Sequence, residues 1–270
     1  MDLMHLIKAF VLGIVEGLTE FLPVSSTGHL ILFGDWLSFD SGRGKVFEVV
    51  IQLGAILAVC WLYRHKIIEV LKGMLRRDPA SLRFAGVVLV AFVPSVIFGI
   101  IFLKTIKEVL FNPTVVAISL VLGGLIILWV ERRERPVMAP TVDDIGWLQA
   151  LGIGLAQIVS MIPGVSRSGA TIIGGMVFGV SRTAATEFSF FLAIPTMIGA
   201  SVLDLAKNGA ALSFGDLVTI AVGFVTAFVS AVVVVKFLIR YVAHHTLSVF
   251  AWYRIALGLV LLVLFWGLRA

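Results

Sequence analysis

Glu16 and Glu20 stand four residues apart in GIVEGLTEFLPVSSTGHL, residues 13–30. If residues 13–22 are helical, that spacing puts both carboxylates on one face. Ser25, Ser26 and Thr27 follow, then His29, the group here that titrates near neutrality. A second polar cluster, PGVSRSG at 163–169, adds Ser166, Arg167 and Ser168. An arginine fork, several hydroxyls and exposed backbone N–H groups together form a cradle for phosphate. Two carboxylates at helical spacing can hold a divalent cation, Mg²⁺ or Ca²⁺, which would also screen their repulsion of the phosphate. Ser26 lies three residues from His29, close enough for a nucleophile–base pair if the turn permits.

The candidate reacting groups are therefore Ser26, His29, Glu20 and Arg167. Arg167, Ser166, Ser168, Thr27, Ser25 and Gln157 are candidate phosphate contacts, and Glu16 with Glu20 the metal ligands. Each has a plainer alternative. Ser25 and Thr27 suit helix caps, as do Ser166 and Ser168. Ser26 can simply donate to a phosphate, and His29 can be a satisfied interior histidine. Arg167 can be no more than a partner for Glu16 or Glu20, and the glutamates a protonated pair. PGVSRSG lacks the GxxxxGK[ST] pattern of a P-loop, so nothing points to nucleotide binding.

The elements that carry these residues are apolar. The 270-residue chain is 60% hydrophobic and 14% charged, which leaves too little polar surface to cover a soluble core. It reads as an all-α integral membrane protein with one membrane domain, 1–270. The net charge of +5 does not argue for nucleic acid, because the basic residues gather in short loops. Cys60 is one cysteine in an apolar run, so no disulfide or thiolate metal cluster forms. The N-terminus shows no cleavage site of a signal peptide.

Residues 4–22 and 28–38 are each short for a span of about 20 residues, and Pro23 with VSSTG separates them. They read as a re-entrant hairpin, the second helix beginning near Gly28. A polar loop is expected at 35–45, spans at 46–63, 83–103 and 112–130, and connections at 64–82 and 104–111. Asn112 and Pro113 give the third span a cap and a first turn. Residues 131–144 form a polar linker. The pattern then restarts: 146–162 and 170–179 make a second hairpin around 163–169, followed by spans at 188–206, 213–236 and 249–268. A shift of 141 residues aligns Gly13 with Gly154, Glu16 with Gln157, Ser25 with Ser166, Thr27 with Ser168 and Gly28 with Gly169. The expectation is an inverted-topology repeat, 1–130 and 145–270, each half a re-entrant helical hairpin plus three transmembrane helices.

Segments 64–83, 131–144, 179–187 and 236–247 carry twelve Lys/Arg, against seven on the other face. This bias puts the first group in the cytoplasm and both termini outside. The two broken tips then meet near mid-membrane, where helix N-termini favour an anion. Glu48 and Glu187 read as boundary residues. Arg254, about five residues into the last span, reads as snorkelling, and His244 and His245 as solvated.

EGLTEFLPVSSTGHL and PGVSRSGAT resemble the two signature motifs of the bacterial undecaprenyl-diphosphate phosphatase family, the bacitracin-resistance type. The likeness spans essentially the whole chain, including FEVVIQLG at 47–54 and EFSFFLAIP at 187–195. It implies a multi-pass inner-membrane enzyme that removes the terminal phosphate of a polyprenyl diphosphate lipid for cell-wall synthesis, with its site open to the periplasm. It makes Glu16 and Glu20 the acidic pair linked to the divalent metal. Ser26 is a proposed nucleophile, His29 a base, an acid or the attacking group itself, and Arg167 the grip on the diphosphate. A carrier or flippase for a phosphate-bearing lipid or anion is the competing expectation, since broken inverted repeats serve transporters too. The oligomeric state is open, and a homodimer suits a small membrane bundle.

Overall fold

The computed structural model describes residues 3–39, 44–208 and 214–267. They form α1 Leu3–Thr19, α2 Ser26–Leu37, α3 Gly44–Leu62, α4 Arg64–Leu75, α5 Pro79–Leu110, α6 Pro113–Glu131, α7 Trp147–Val159, α8 Arg167–Val177, α9 Arg182–Asn208, α10 Phe214–His244 and α11 Ser248–Gly267. A single 3-10 turn, Val142–Asp144, lies between α6 and α7. By length and apolar composition α5, α6, α9 and α10 can each cross a bilayer, and α3 with α4 makes a fifth candidate bent by 75°. The stretch Ser248–Leu264 of α11 is apolar but shorter. Asn112 caps α6 as expected: its side chain accepts from the Val115 N–H, with Pro113 in the first turn.

The helices pack through small residues. α1 lies along α10, where a Cβ on Gly13 would strike the Gly223 carbonyl and one on Gly17 the Ala227 carbonyl. α7 lies along α5, where a Cβ on Gly154 would strike the Ala91 carbonyl. Without a hydrophobic drive between helices in lipid, such close approach supplies the van der Waals contact that holds them. α6 pairs with α11, while α3 packs against both α10 and α9.

One end of the bundle gathers the basic segments that charge counting grouped together. Lys66 pairs with Asp143 at 2.8 Å, and Arg83 donates to the Asp143 and Ile145 carbonyls. Arg182 makes a two-pronged pair with Glu131, whose Oε1 also accepts the Leu247 N–H at 2.8 Å. Arg43 and Arg269, counted on the opposite face, lie outside the described residues, as do residues 40–43 of the 35–45 loop and the span ends 213 and 268.

Several expected loops are helical. Residues 64–75 form α4, because Arg, Lys, Glu and Leu are good helix formers even where the segment is too polar for a span. For the same reason α5 runs through Lys104 to Leu110 and α10 through Arg240 to His244, and α9 begins at Arg182. α2 starts at Ser26 rather than near Gly28 and takes in Asp35. The first hairpin turns at residues 20–24, since α1 already stops at Thr19.

Candidate active site

The two hairpin tips meet through matched turns. Ser25 immediately precedes α2 at φ 74°, and Ser166 immediately precedes α8 at φ 70°. Left-handed backbone at a residue with a Cβ costs about 1–3 kcal/mol and persists only where the surroundings hold it. The Ser166 Oγ accepts the Gly169 N–H at 3.1 Å and caps α8, whereas the Ser25 side chain makes no such bond. Gly164 stands at φ +90°, where a Cβ would also meet the Val116 carbonyl, so this turn needs glycine.

A chain of bonds joins the tips. Ser26 Oγ donates to Glu20 Oε2. Glu20 Oε1 accepts Arg167 Nη2 at 3.0 Å, and Arg167 Nη1 donates to the Ser189 carbonyl at 3.1 Å. Ser168 Oγ donates to the Leu22 carbonyl at 2.8 Å and lies 3.1 Å from Ser166 Oγ. The Glu20 and Arg167 side chains are only 9% and 12% exposed. Breaking such a pair by removing one partner costs about 3–5 kcal/mol.

A polar cavity of ≈ 220 Å³ is walled by Glu20, Ser25, Ser26, Thr27, Ser166 and Arg167 among others. One water needs only about 10–15 Å³, so the space admits a larger polar guest. Both α2 and α8 point their N-termini at it, a favourable field for an anion. Four sequence candidates stand outside this wall: Glu16, His29, Gln157 and Ser168. Gln157 donates to Ser95 Oγ at 2.5 Å and reaches the cavity only through Thr196, at 3.5 Å. Glu187 accepts from Tyr63 at 3.4 Å, and neither it nor the exposed Glu48 borders the cavity.

His29 is held on both sides. Nδ1 lies 2.7 Å from the Ser25 carbonyl, and Nε2 2.6 Å from the Tyr253 hydroxyl. The pairing of Ser26 with His29 that spacing allowed is therefore not the one formed; Ser26 bonds Glu20 instead.

The strongest feature missed in the sequence is Arg254, which is 1% exposed and does not snorkel. Its guanidinium donates to five backbone carbonyls: Pro23 from the first tip, Gly164 and Val165 from the second, and Ser119 and Leu120 from α6. A guanidinium carries five N–H donors, and broken helices leave carbonyls that lipid cannot satisfy. The arginine closes that deficit at both breaks. The signal was present in SVFAWYRIALG, an intramembrane arginine with no acid at helical spacing.

Glu16 tests the fit of a cation. It is fully buried one turn before Glu20, with the Glu20 N–H bonded to its carbonyl at 2.9 Å, yet neither carboxylate oxygen has a hydrogen-bond partner. An orphaned buried carboxylate calls for a proton or a cation. Glu16 and Glu20 are oxygen donors of the kind that would hold a hard divalent ion. Among the described residues no cluster of three His, Cys, Asp or Glu forms a complete protein cage.

Comparison with known proteins gives one family and close relatives. The family model described as bacitracin resistance protein BacA matches residues 9–260. Undecaprenyl-diphosphatase 2 of Shewanella oneidensis is 60% identical over 97% of this chain and 98% of its own length. Undecaprenyl-diphosphatase of Acinetobacter baumannii is 58% identical over the full length of both chains. That of Bordetella avium is 57% identical over 95% of this chain and 96% of its own.

Proposed function

The chain belongs to the bacitracin resistance protein BacA family, and from that premise we propose that it is an undecaprenyl-diphosphatase. It removes the terminal phosphate of undecaprenyl diphosphate, giving undecaprenyl phosphate and inorganic phosphate and returning the carrier lipid to cell-wall synthesis. The relatives' names favour hydrolysis over the carrier alternative. The single observation that carries the reading at this site is the Arg167–Glu20–Ser26 chain, which draws both tips onto one anion-sized polar cavity.

In this reading Arg167 and the N-terminal N–H groups of α2 and α8 hold the terminal phosphate. Glu20 is the hydrogen-bond acceptor of Ser26 and so the base positioned for it. Ser26 Oγ forms a bond to phosphorus while the bond to the bridging oxygen breaks, and the Ser26 proton passes to Glu20. The lipid monophosphate leaves with the bridging oxygen. Water then attacks the phosphoserine, Ser26 Oγ recovers its proton from Glu20, and the water proton leaves with inorganic phosphate. In the alternative route His29 attacks or activates water. A divalent cation at Glu16 and Glu20 would offset negative charge on the carboxylates and diphosphate.

The architecture of this reading is the inverted repeat, 1–130 and 145–270 about the 131–144 linker, in the bacterial inner membrane. It is supported by the equivalent packing of α1 on α10 and α7 on α5, and by the matched strain at Ser25 and Ser166. Both termini and the opening of the site face the periplasm. An apolar groove of ≈ 380 Å³ lined by Ile126, Leu155, Ile173 and Phe178 adjoins the second tip at Val165 and offers a bed for an isoprenoid chain.

The test is phosphate release from a polyprenyl diphosphate by the purified protein in detergent. Release with Mg²⁺ or Ca²⁺ that stops on chelation and returns with the ion is expected. No release with either ion would overturn the reading.

A further inference from the structure

We propose that Tyr253 is a positioning residue for His29, fixing its ring in one orientation and in the Nδ1–H form with Nε2 as its basic nitrogen. The relevance to turnover rests on the His29 route of the phosphatase reading above, and the geometry stands apart from it.

The Ser25 oxygen is a carbonyl and can only accept, so the 2.7 Å contact puts a hydrogen on His29 Nδ1. The same carbonyl accepts the His29 backbone N–H at 3.3 Å. Its direction is set by the left-handed turn at Ser25, φ 74° and ψ 93°, so the strained backbone aims the acceptor at the ring. At the second tip the Ser166 carbonyl takes the backbone N–H of Ala170, at 3.0 Å, and no side chain among the described residues. The turn is thus common to both halves, and the imidazole belongs to one.

With Nδ1–H engaged, a neutral ring presents a lone pair at Nε2, which needs a donor. His29 is 4% exposed, so bulk water does not supply one. The Tyr253 hydroxyl does, at 2.6 Å, with the two rings stacked at 5.6 Å between centroids and 10° between planes. Tyr253 is next to Arg254 on α11, whose guanidinium holds Pro23, two residues before Ser25. The tyrosine is therefore registered against the first tip by its neighbour. Removing only its hydroxyl leaves Nε2 without a partner and the ring held at Nδ1 alone, free to turn from its one orientation.

The experiment uses the full-length protein with ¹⁵N-labelled histidine in detergent micelles, the His29 signals being assigned by their loss in His29→Gln. Wild type is expected to show a neutral Nδ1–H ring at His29 with a hydrogen-bonded Nε2, and Tyr253→Phe an Nε2 signal shifted by loss of that donor. In parallel, Tyr253→Phe is expected to lower kcat between about tenfold and a hundredfold, with KM within about twofold of wild type. An Nε2–H ring in wild type overturns the proposal. So does an unaltered His29 signal in Tyr253→Phe, whether or not kcat falls, since activity lost that way would not act through His29. An altered His29 signal with unchanged kcat overturns the part in turnover. If wild type releases no phosphate, the functional reading fails while the NMR comparison still decides the positioning. If Tyr253→Phe does not purify folded, the wild-type Nε2 signal decides it, since an Nε2 lone pair with no donor overturns the proposal.

Discussion

At the scale of single residues, the site divides its polar groups into two sets. Ser26, Glu20 and Arg167 share one bonded chain at the cavity wall, while His29 is tied behind them to Ser25 and Tyr253. Arg167 serves two directions at once, a carboxylate and a carbonyl, which needs a planar fork rather than a point charge. Arg167→Lys should therefore lose kcat/KM by at least about a hundredfold, roughly the 3 kcal/mol of a charge-assisted bond to phosphate. Phosphate release over a range of substrate concentration measures it. Activity within a few-fold of wild type would show that charge alone suffices there.

At the scale of elements, the broken helices survive because Arg254 satisfies the carbonyls that the breaks expose. A lysine offers three donors in place of five. Arg254→Lys gives up the forked reach to both breaks, so at least one of the Pro23, Gly164 and Val165 carbonyls should lose its partner at about 1–3 kcal/mol, a loss of at least about 1 kcal/mol read by thermal or denaturant unfolding in micelles. An unchanged melting curve would mean the tips hold themselves. Helix starts at the membrane edge are simpler. Asp78 caps α5, accepting the Ser81 N–H at 2.8 Å, and bonds from the Ser81 hydroxyl and N–H hold its carboxyl below the ordinary aspartate range. A lowered native pKa gives stability that is present above the unfolded value and lost as pH falls through the native one. Asp78→Ala should thus lower the melting temperature more at neutral pH than in acid below the native pKa of Asp78, where only the weaker cap of the neutral carboxyl is left to lose. An equal loss at both pH values would remove ionisation from the cap.

At the scale of the molecule, segments from both halves converge at one end through Lys66–Asp143 and Arg182–Glu131. Six of the twelve Lys/Arg on which the proposed orientation rests lie in 64–83, so the sidedness leans on α4 and its flanks. In a Cys60→Ala background, Arg133→Cys should resist a membrane-impermeant maleimide added to intact cells, and Trp36→Cys, near the other end, should react. The reverse pattern would invert the topology.

Composition and hydropathy alone determined an all-helical membrane protein, because lipid admits only helices and closed barrels, and these apolar runs are long and continuous where barrel strands are short and alternate. The motifs likewise marked most of the site, since ionisable residues and hydroxyls stand out against apolar spans: Glu20, Ser26, Ser166 and Arg167 all reach the cavity. Helix ends at 64, 110 and 244 were less readable, because charged residues that end a span do not end a helix. Only the tertiary structure decided the pairings. Glu20 and Arg167 are 147 residues apart, and His29 and Tyr253 are 224 apart, so no local spacing encodes either contact. The five-carbonyl reach of Arg254 depends on where two helices break in space, and that is set by packing between segments distant in the chain.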